Sequence, residues 1–196
     1  PLNLTQYQTP KEEETPTQTR EEILLQVQAD LEKGGWEKAE DGFLEKNEKK
    51  GSRTTTTRLE FSISTGNTPD LVKAAELIQK DLLALGMNVD VKTFEIGNLN
   101  QGVIRPRKYD ALLFGQIVNH ESDLFAFWHS SQRVDPGLNV AMYTNAKVDK
   151  VLEDAFVTVD EPERTQKYLQ FKDEVKKDMP AVFLYSPNFI RVVSKD

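Results

Sequence analysis

Residues 58–94 constrain the fold most, because the spacing of their apolar side chains changes twice. Residues 58–64 alternate between apolar and polar, the period of a strand. From Thr68 to Leu85 apolar residues recur at helical spacing, and residues 87–94 return to alternation. A strand, helix and strand in such short succession predict two parallel strands joined by a right-handed crossover.

A third apolar run, residues 109–114, extends this pattern. It has the length and composition of a strand buried on both faces, and a short helix at residues 98–104 precedes it. The resulting β-α-β-α-β order is typical of α/β layer folds. We therefore predict the α/β class, with a mixed, mostly parallel sheet flanked by helices.

The flanking stretches predict further elements. Residues 1–18 contain three prolines among Gln, Thr and Glu, and this composition is typical of a linker. Thr19 and Glu22 form a capping box that begins a helix. The charge-rich residues 36–52 predict an exposed hairpin that turns near Asn47 and Glu48. The second half predicts helices at residues 146–159 and 160–179, and strands at residues 139–143, 181–185 and 189–193.

Composition excludes several classes of function. The net charge of −7 and the lack of basic blocks interleaved with aromatic residues argue against a nucleic-acid partner. The absence of cysteine excludes disulfides, thiolate metal sites and a cysteine nucleophile. No apolar run reaches the about 20 residues of a membrane span, and no signal peptide begins the sequence. The first residue is Pro1 rather than Met, so we expect a fragment of a longer protein.

The candidate ligand site follows the strand at residues 109–114. Open α/β sheets bind ligands at the carboxyl ends of their strands, where this segment places polar and aromatic groups. The predicted ligand-binding residues are Gly115, Gln116, Ile117, Val118, Asn119, His120, Trp128 and His129. The aromatic residues at positions 125, 127 and 128 are equally compatible with a hydrophobic core.

Catalysis has weaker support. The two histidines, His120 and His129, lie near Glu121 and Asp123, but no His-Glu-x-x-His pattern is present and their spacing gives no convergent set of metal ligands. Ser130 lacks the flanking glycines of a nucleophile elbow, and no glycine-rich phosphate loop exists. We expect that the protein has no enzymatic activity and binds no metal or cofactor. The alternatives are a hydrolase that uses His120, His129 and a nearby carboxylate, or a non-catalytic interaction domain.

From Thr19 onward, several motifs occur in a specific order and spacing. They are a helix that ends in Gly34-Gly35-Trp36, a strand–helix–strand over residues 59–91, Tyr109-Asp110 followed by Gly115, the segment Tyr143-Thr144-Asn145, and Asp178-Met179-Pro180. In this arrangement the chain resembles the carboxy-terminal lobe of bacterial extracellular solute-binding proteins of family 5, the dipeptide/oligopeptide class.

The resemblance implies a periplasmic-binding-protein type II-like lobe over residues 19–196. It implies a receptor that closes two lobes on a peptide or other small solute and delivers it to an ABC importer. The implied partners are the solute, the missing amino-terminal lobe and the importer's membrane subunits, and the implied location is extracytoplasmic.

The sequence departs from the family at two positions of the candidate site. Peptide carriers of the family often have Trp directly after the glycine, and three positions beyond that pair an Asp that binds the peptide's amino terminus. Here Gln116 and Asn119 stand at these positions. Asn accepts a hydrogen bond but adds no charge, so the contact with an ammonium group is weakened unless Glu121 or Asp123 takes over.

Overall fold

The computed structural model describes residues 18–121 and 123–186. The described chain packs as two compact units, of which the first ends at Asn119 and the second begins at His120. The elements of the first unit are α1 (Arg20–Lys33), β1 (Glu37–Lys38), β2 (Leu44–Lys50), β3 (Arg53–Arg58), β4 (Glu60–Gly66), α2 (Pro69–Ala84), β5 (Asn88–Phe94), α3 (Ile96–Asn98) with a π-helical turn (Leu99–Ile104), and β6 (Ala111–Leu113). Those of the second are α4 (Asp123–Trp128), a 3-10 turn (Ser130–Gln132), α5 (Ala146–Val157) and α6 (Glu161–Asp178).

The predicted strand–helix–strand unit is confirmed. β4 pairs in parallel with β5, and β6 joins the other edge of β4 in parallel, so the strand order is β5-β4-β6. β4 is the central strand, and its residues from Ser62 to Gly66 are buried. α2 packs on this sheet through a core built around Ile63, Ala75 and Val89. Gly86 adopts a φ of 90°, a left-handed conformation that suits glycine and lets the chain leave α2 for β5.

The third parallel strand is shorter and more exposed than predicted. β6 spans Ala111–Leu113, and its residues are half-buried rather than buried on both faces. The physical reason is its place at the sheet edge, where only β4 pairs with it. Residues 114–119 continue from β6 without regular structure.

A second, antiparallel sheet in the first unit has the order β1-β2-β3. β2 and β3 form a hairpin that turns at Gly51 and Ser52, where Gly51 has a φ of 65°. The predicted turn near Asn47 and Glu48 is therefore wrong, and both residues lie within β2. The hairpin has no apolar face, so side-chain periodicity gave no signal for its register.

The second unit is helical around one hydrophobic core. Trp128 from α4 lies at its centre, and the other buried members come mainly from α5 and α6. The core residues are Trp128, Tyr143, Val148, Val151, Leu152, Ala155, Tyr168, Phe171 and Val175. Asn145 and Asp160 begin α5 and α6 through side-chain caps, as their residue types favour.

The strands predicted at residues 139–143 and 181–185 are not observed. Residues 139–143 form turns around the fully buried Asn139, whose amide donates to the carbonyls of Trp128, His129 and Tyr143. Residues 181–185 have no strand, and from Val182 to Tyr185 the side chains are exposed. Residues 189–193 lie outside the described residues.

The amino-terminal helix of the first unit is confirmed with its capping box. Thr19 and Glu22 exchange hydrogen bonds as predicted. None of the residues in α1 is buried, so its apolar stripe contributes little to the core. Within the part of the chain that the structure describes, no helix has the length and apolarity needed to cross a bilayer.

Candidate functional site

The segment that follows β6 is exposed where the sequence predicts a ligand-facing surface. Gly115, Gln116, Ile117 and Asn119 are exposed, and Val118 is half-buried. Ile117 leaves 81% of its surface accessible, and such single exposed apolar side chains are common on protein surfaces. These residues therefore follow the carboxyl end of a parallel strand, and most of them are exposed.

Gly115 is not required by packing against the described residues. A Cβ atom built at this position meets none of their atoms within 4 Å, and the φ of Gly115 lies outside the left-handed region. In contrast, a Cβ atom at Gly137 would overlap the backbone of Gln132. Glycine at 115 therefore keeps open a surface that the described residues leave unfilled.

A short, polar stretch begins the second unit. His120 is exposed, and its backbone N–H donates to Oδ2 of Asp123 at 3.1 Å. Asp123 thus begins α4 and holds the chain just before it. Glu121 is half-buried, and its negative charge contributes to raising the pKa of Tyr168, although burial of the phenol is the larger cause.

Trp128 lies in the hydrophobic core of the second unit. Its side chain is 7% exposed, and its ring has edge contacts with Tyr143 and Phe171 at centroid distances of 6.3 and 6.0 Å. Phe183 approaches the same ring at 6.0 Å. These contacts give Trp128 a packing role, whereas its predicted role in ligand binding stays a prediction.

His129 is buried beside Trp128, and its two ring nitrogens have different surroundings. Nδ1 accepts a hydrogen bond from the backbone N–H of Ser131 at 3.1 Å and lies 2.8 Å from the Ser131 hydroxyl. A neutral ring that accepts at Nδ1 carries its proton on Nε2. Nε2 is buried, has no hydrogen-bond partner among the described residues, and lies 3.4 Å from Oε1 of Glu153 and 3.9 Å from Oδ1 of Asp149.

This arrangement is that of a local helix cap. His129 is the N-cap of the 3-10 turn, and its ring stacks on Phe125 at 4.2 Å. Ser130 donates its N–H and its hydroxyl to Asp149 at 2.8 and 2.6 Å, so its hydroxyl faces a carboxylate instead of an imidazole. In the described ranges, no group of three His, Asp or Glu residues could hold a metal ion.

Sequence reasoning missed three polar residues that fix the geometry near these segments. Asp110 binds Ser62 of β4, Asn139 binds three backbone carbonyls, and Asp149 binds Ser130. Asp110 was named only as part of a motif, and polar residues that bind backbone groups leave no periodic signal. The one cue in the sequence is an Asn shortly after the turn at Pro136 and Gly137. The amide of an Asn at such a place can bind both donors and acceptors of the backbone.

Comparison with known proteins identifies bacterial peptide-binding proteins as relatives. No protein-family model matches the chain. It is 31% identical over 160 residues to the oligopeptide-binding protein AppA of Bacillus subtilis, and 29% identical over 135 residues to di/tripeptide-binding protein 2 of Pseudomonas aeruginosa. These alignments cover 81% and 67% of this chain but 28% and 25% of the relatives.

Solved structures agree with these relatives. AppA of Bacillus subtilis in complex with a nonapeptide superposes with a TM-score of 0.69 at 25% identity, over 88% of this chain and 32% of that one. NikZ of Campylobacter jejuni in complex with Ni(L-His) gives 0.64 at 27% identity, over 80% of this chain and 30% of that one.

The chain thus spans less than a third of the length of these proteins. The resemblance and the α/β fold class predicted from the sequence are both confirmed. The chain is related to the bacterial oligopeptide- and dipeptide-binding proteins, extracellular solute-binding family 5, and corresponds to one part of them.

Proposed function

We propose that this chain is the ligand-binding, carboxy-terminal lobe of a solute receptor that delivers peptides or similar solutes to an ABC importer. The observation that carries the proposal is the similarity to AppA over 81% of the chain. The exposed segment after β6 supports it, because it lies at the end of the sheet where α/β proteins bind ligands.

In this proposal the solute contacts the polar and apolar groups of residues 115–120. Gln116 and Asn119 each offer a donor and an acceptor from one amide, and Ile117 offers apolar surface. Gly115 lets a solute or a second lobe approach the backbone closely. Trp128 and His129 remain predicted members of the site, although their described contacts are with the core.

Binding rather than catalysis is the role that the residues support. Serine hydrolases commonly activate the hydroxyl with a histidine, and the Ser130 hydroxyl donates to the carboxylate of Asp149 instead. The Ser131–His129 contact is between neighbours in one turn and caps that turn. The relatives are described as binding proteins, and this also supports a function without chemistry.

The remaining partners follow from the same proposal. The chain would act together with an amino-terminal lobe of the same protein and with the membrane subunits of an importer. The two lobes would close on the solute, because the closed state gains contacts that the open state lacks. The protein would work outside the cytoplasmic membrane, in the periplasm or on its outer face.

Peptides are the first candidate solutes, and a metal–amino acid complex is the second. AppA is described with a nonapeptide, and NikZ with Ni(L-His). Asn119 has no charge to offer a peptide's amino terminus, so a peptide would be held through neutral hydrogen bonds at this position. The nickel complex is cargo in this second case and needs no resident metal site.

Mass spectrometry distinguishes a peptide from a metal–amino acid complex as the solute. The sample is the solute released from the purified longer protein that includes this chain. We expect peptides, and a nickel–histidine complex would support the second candidate. Absence of any bound solute, together with no saturable binding of a peptide library or of Ni(L-His) in calorimetry, would refute both.

The variant Asn119→Asp tests the proposed contact between residue 119 and the amino terminus of a peptide. It should tighten binding of a peptide with a free amino terminus and leave the N-acetylated peptide unchanged, because only the former carries an ammonium group. Asn100→Asp, an exposed position on the π-helical turn, makes the same change of charge and serves as the control. Equal effects of the two variants would remove Asn119 from the site.

A further inference from the structure

The β2–β3 hairpin is a basic projection on an acidic chain. Residues 45–58 contain five cationic side chains and two carboxylates, whereas the whole chain carries a net charge of −7. From residue 49 to residue 59 there is no acidic residue at all. This local excess of positive charge has no counterpart in the overall composition.

The cations of the hairpin differ in their partners among the described residues. Arg58 is paired with Asp41, and Lys46 lies 3.5 Å from Glu48. Lys49, Lys50 and Arg53 are exposed and form no ion pair with any described residue. These three residues are hereafter called the tip cations.

The pairing of the strands places like charges against each other. Lys50 stands directly opposite Arg53 in the antiparallel register. Like charges directly opposite in a β-ladder destabilise it. A hairpin selected for stability alone would carry opposite charges here, so the arrangement indicates a use outside the fold.

The hairpin also holds the tip cations away from the acidic body. Leu44, at the start of β2, is buried at 4% exposure, and Lys50 follows six residues later. At about 3.3 Å per strand residue the tip lies about 20 Å from that anchor. Charges are screened over about 8 Å at physiological ionic strength, so carboxylates near that anchor affect the tip cations little. Glu48 directly precedes Lys49 in β2, and its carboxylate lies 3.5 Å from Nζ of Lys46.

The side chains of the hairpin indicate which kind of partner surface it can contact. Residues 45–58 include no aromatic or aliphatic side chain beyond the threonine methyl groups. The centres of protein–protein interfaces are apolar and depleted in lysine, so the tip lacks the anchors of such an interface. Contact with a layer of anionic headgroups needs only charge, and each Lys or Arg near the surface adds to the attraction.

We propose that the tip cations dock the protein on an anionic phospholipid surface through the lipid phosphates. The contact is electrostatic, at headgroup level and reversible, because three charges without an apolar anchor give weak binding. It goes beyond solute delivery and does not depend on which solute is bound. A negative result would therefore leave the proposed receptor function untouched.

Sedimentation of the chain with vesicles tests this docking. The probes are phosphatidylglycerol–phosphatidylcholine vesicles and pure phosphatidylcholine vesicles, at low salt and at high salt. We expect binding to the anionic vesicles alone, with loss at high salt. Millimolar inorganic phosphate should not compete, because the surface and not a free anion is the ligand.

Substitution of the tip cations tests whether they are responsible for binding to anionic vesicles. The triple variant Lys49→Gln, Lys50→Gln, Arg53→Gln should lower partitioning onto the anionic vesicles by about tenfold or more. The matched control Lys172→Gln, Lys176→Gln, Lys177→Gln removes three exposed cations from α6 and should bind nearly as well as the unmodified chain. Circular dichroism verifies that both variants fold.

Three outcomes would overturn the proposal. They are no binding to anionic vesicles, equal loss in the two triple variants, and equal binding to both kinds of vesicle. Tip-dependent binding of a polyglutamate peptide without vesicle binding would also overturn it and would assign the tip to an acidic protein surface.

Discussion

The carboxylate of Asp110 accepts two hydrogen bonds from Ser62, one from the backbone N–H at 2.9 Å and one from the hydroxyl at 2.7 Å. Ser62 is buried in β4, and Asp110 directly precedes β6. The pair therefore fixes the start of the edge strand on the central strand. Because β6 leads into residues 115–119, this contact also positions the candidate ligand segment.

Replacing Asp110 should weaken this attachment. Asp110→Ala leaves the buried N–H and hydroxyl of Ser62 without their partner, which costs about 1–3 kcal/mol. Urea denaturation of the first unit measures the loss. Asp90→Ala, at an exposed position on β5, is the control and should change the free energy of unfolding little. Equal effects of the two substitutions would show that the Asp110–Ser62 contact contributes nothing specific.

The same contact should give stability a dependence on pH. The hydrogen bonds from Ser62, first its hydroxyl and then its backbone N–H, hold the pKa of Asp110 below the ordinary 3.8. A carboxyl with a lowered folded-state pKa stabilises the fold above its unfolded pKa and loses that contribution as the pH falls through the folded value. The difference in unfolding free energy between the unmodified chain and Asp110→Ala should therefore shrink below about pH 4.

Trp128→Ala should unfold the second unit more easily. The ring is 7% exposed and packs against Tyr143 and Phe171, and large-to-small substitution of such a core aromatic residue costs about 3–5 kcal/mol. Thermal melting, monitored by circular dichroism, measures this loss of stability. Tyr185→Ala, at an exposed position, is the control. A change below about 1 kcal/mol would argue that Trp128 has no packing role.

Two glycines should respond differently to a methyl group. Gly115→Ala adds a Cβ atom in open space and should leave the melting temperature unchanged, while it weakens solute binding in the longer protein. Gly137→Ala forces the added atom against the backbone of Gln132 and should destabilise the second unit. If Gly115→Ala also lowers the melting temperature, glycine at 115 serves the fold rather than a ligand.

Tyr143 should make the second unit sensitive to alkali. Burial, and then the hydrogen bond to Asp178 at 2.6 Å, raise the pKa of Tyr143 to about 12. Because the folded phenol holds its proton more tightly than the unfolded phenol, its contribution to stability is complete below about pH 10 and falls towards pH 12. Tyr143→Phe should reduce this alkaline loss. An unchanged slope between pH 10 and pH 12 would exclude Tyr143 as the cause.

The sequence was informative where side chains are periodic. Alternation in β4 and β5 and the apolar stripe of α2 predicted the parallel sheet, because one face of each element must be buried. The hairpin turn was misplaced because β2 and β3 lack an alternating apolar face that would fix a register, and only Leu44 at the start of β2 is buried. The strand predicted at residues 181–185 is absent, since apolar composition alone does not supply a pairing partner.

The candidate site was predictable only in part. The position of residues 115–119 followed from the end of an apolar run, and their exposure agrees with a ligand-facing role. The burial of Trp128 and His129 could not be read from the sequence, because aromatic residues occur both in cores and in binding sites. Contacts such as Asp110 with Ser62 join residues far apart in the chain and leave no local pattern.

Hydrogen exchange of the longer protein, with and without its solute, probes whether the segment after β6 contacts the ligand. We expect the backbone amides of residues 116–120 to exchange more slowly when solute is bound. Residues 45–58, in the hairpin, should exchange at the same rate in both states and serve as the internal reference. Unchanged exchange at residues 116–120 while the solute is demonstrably bound would mean that this segment is not the ligand-binding surface.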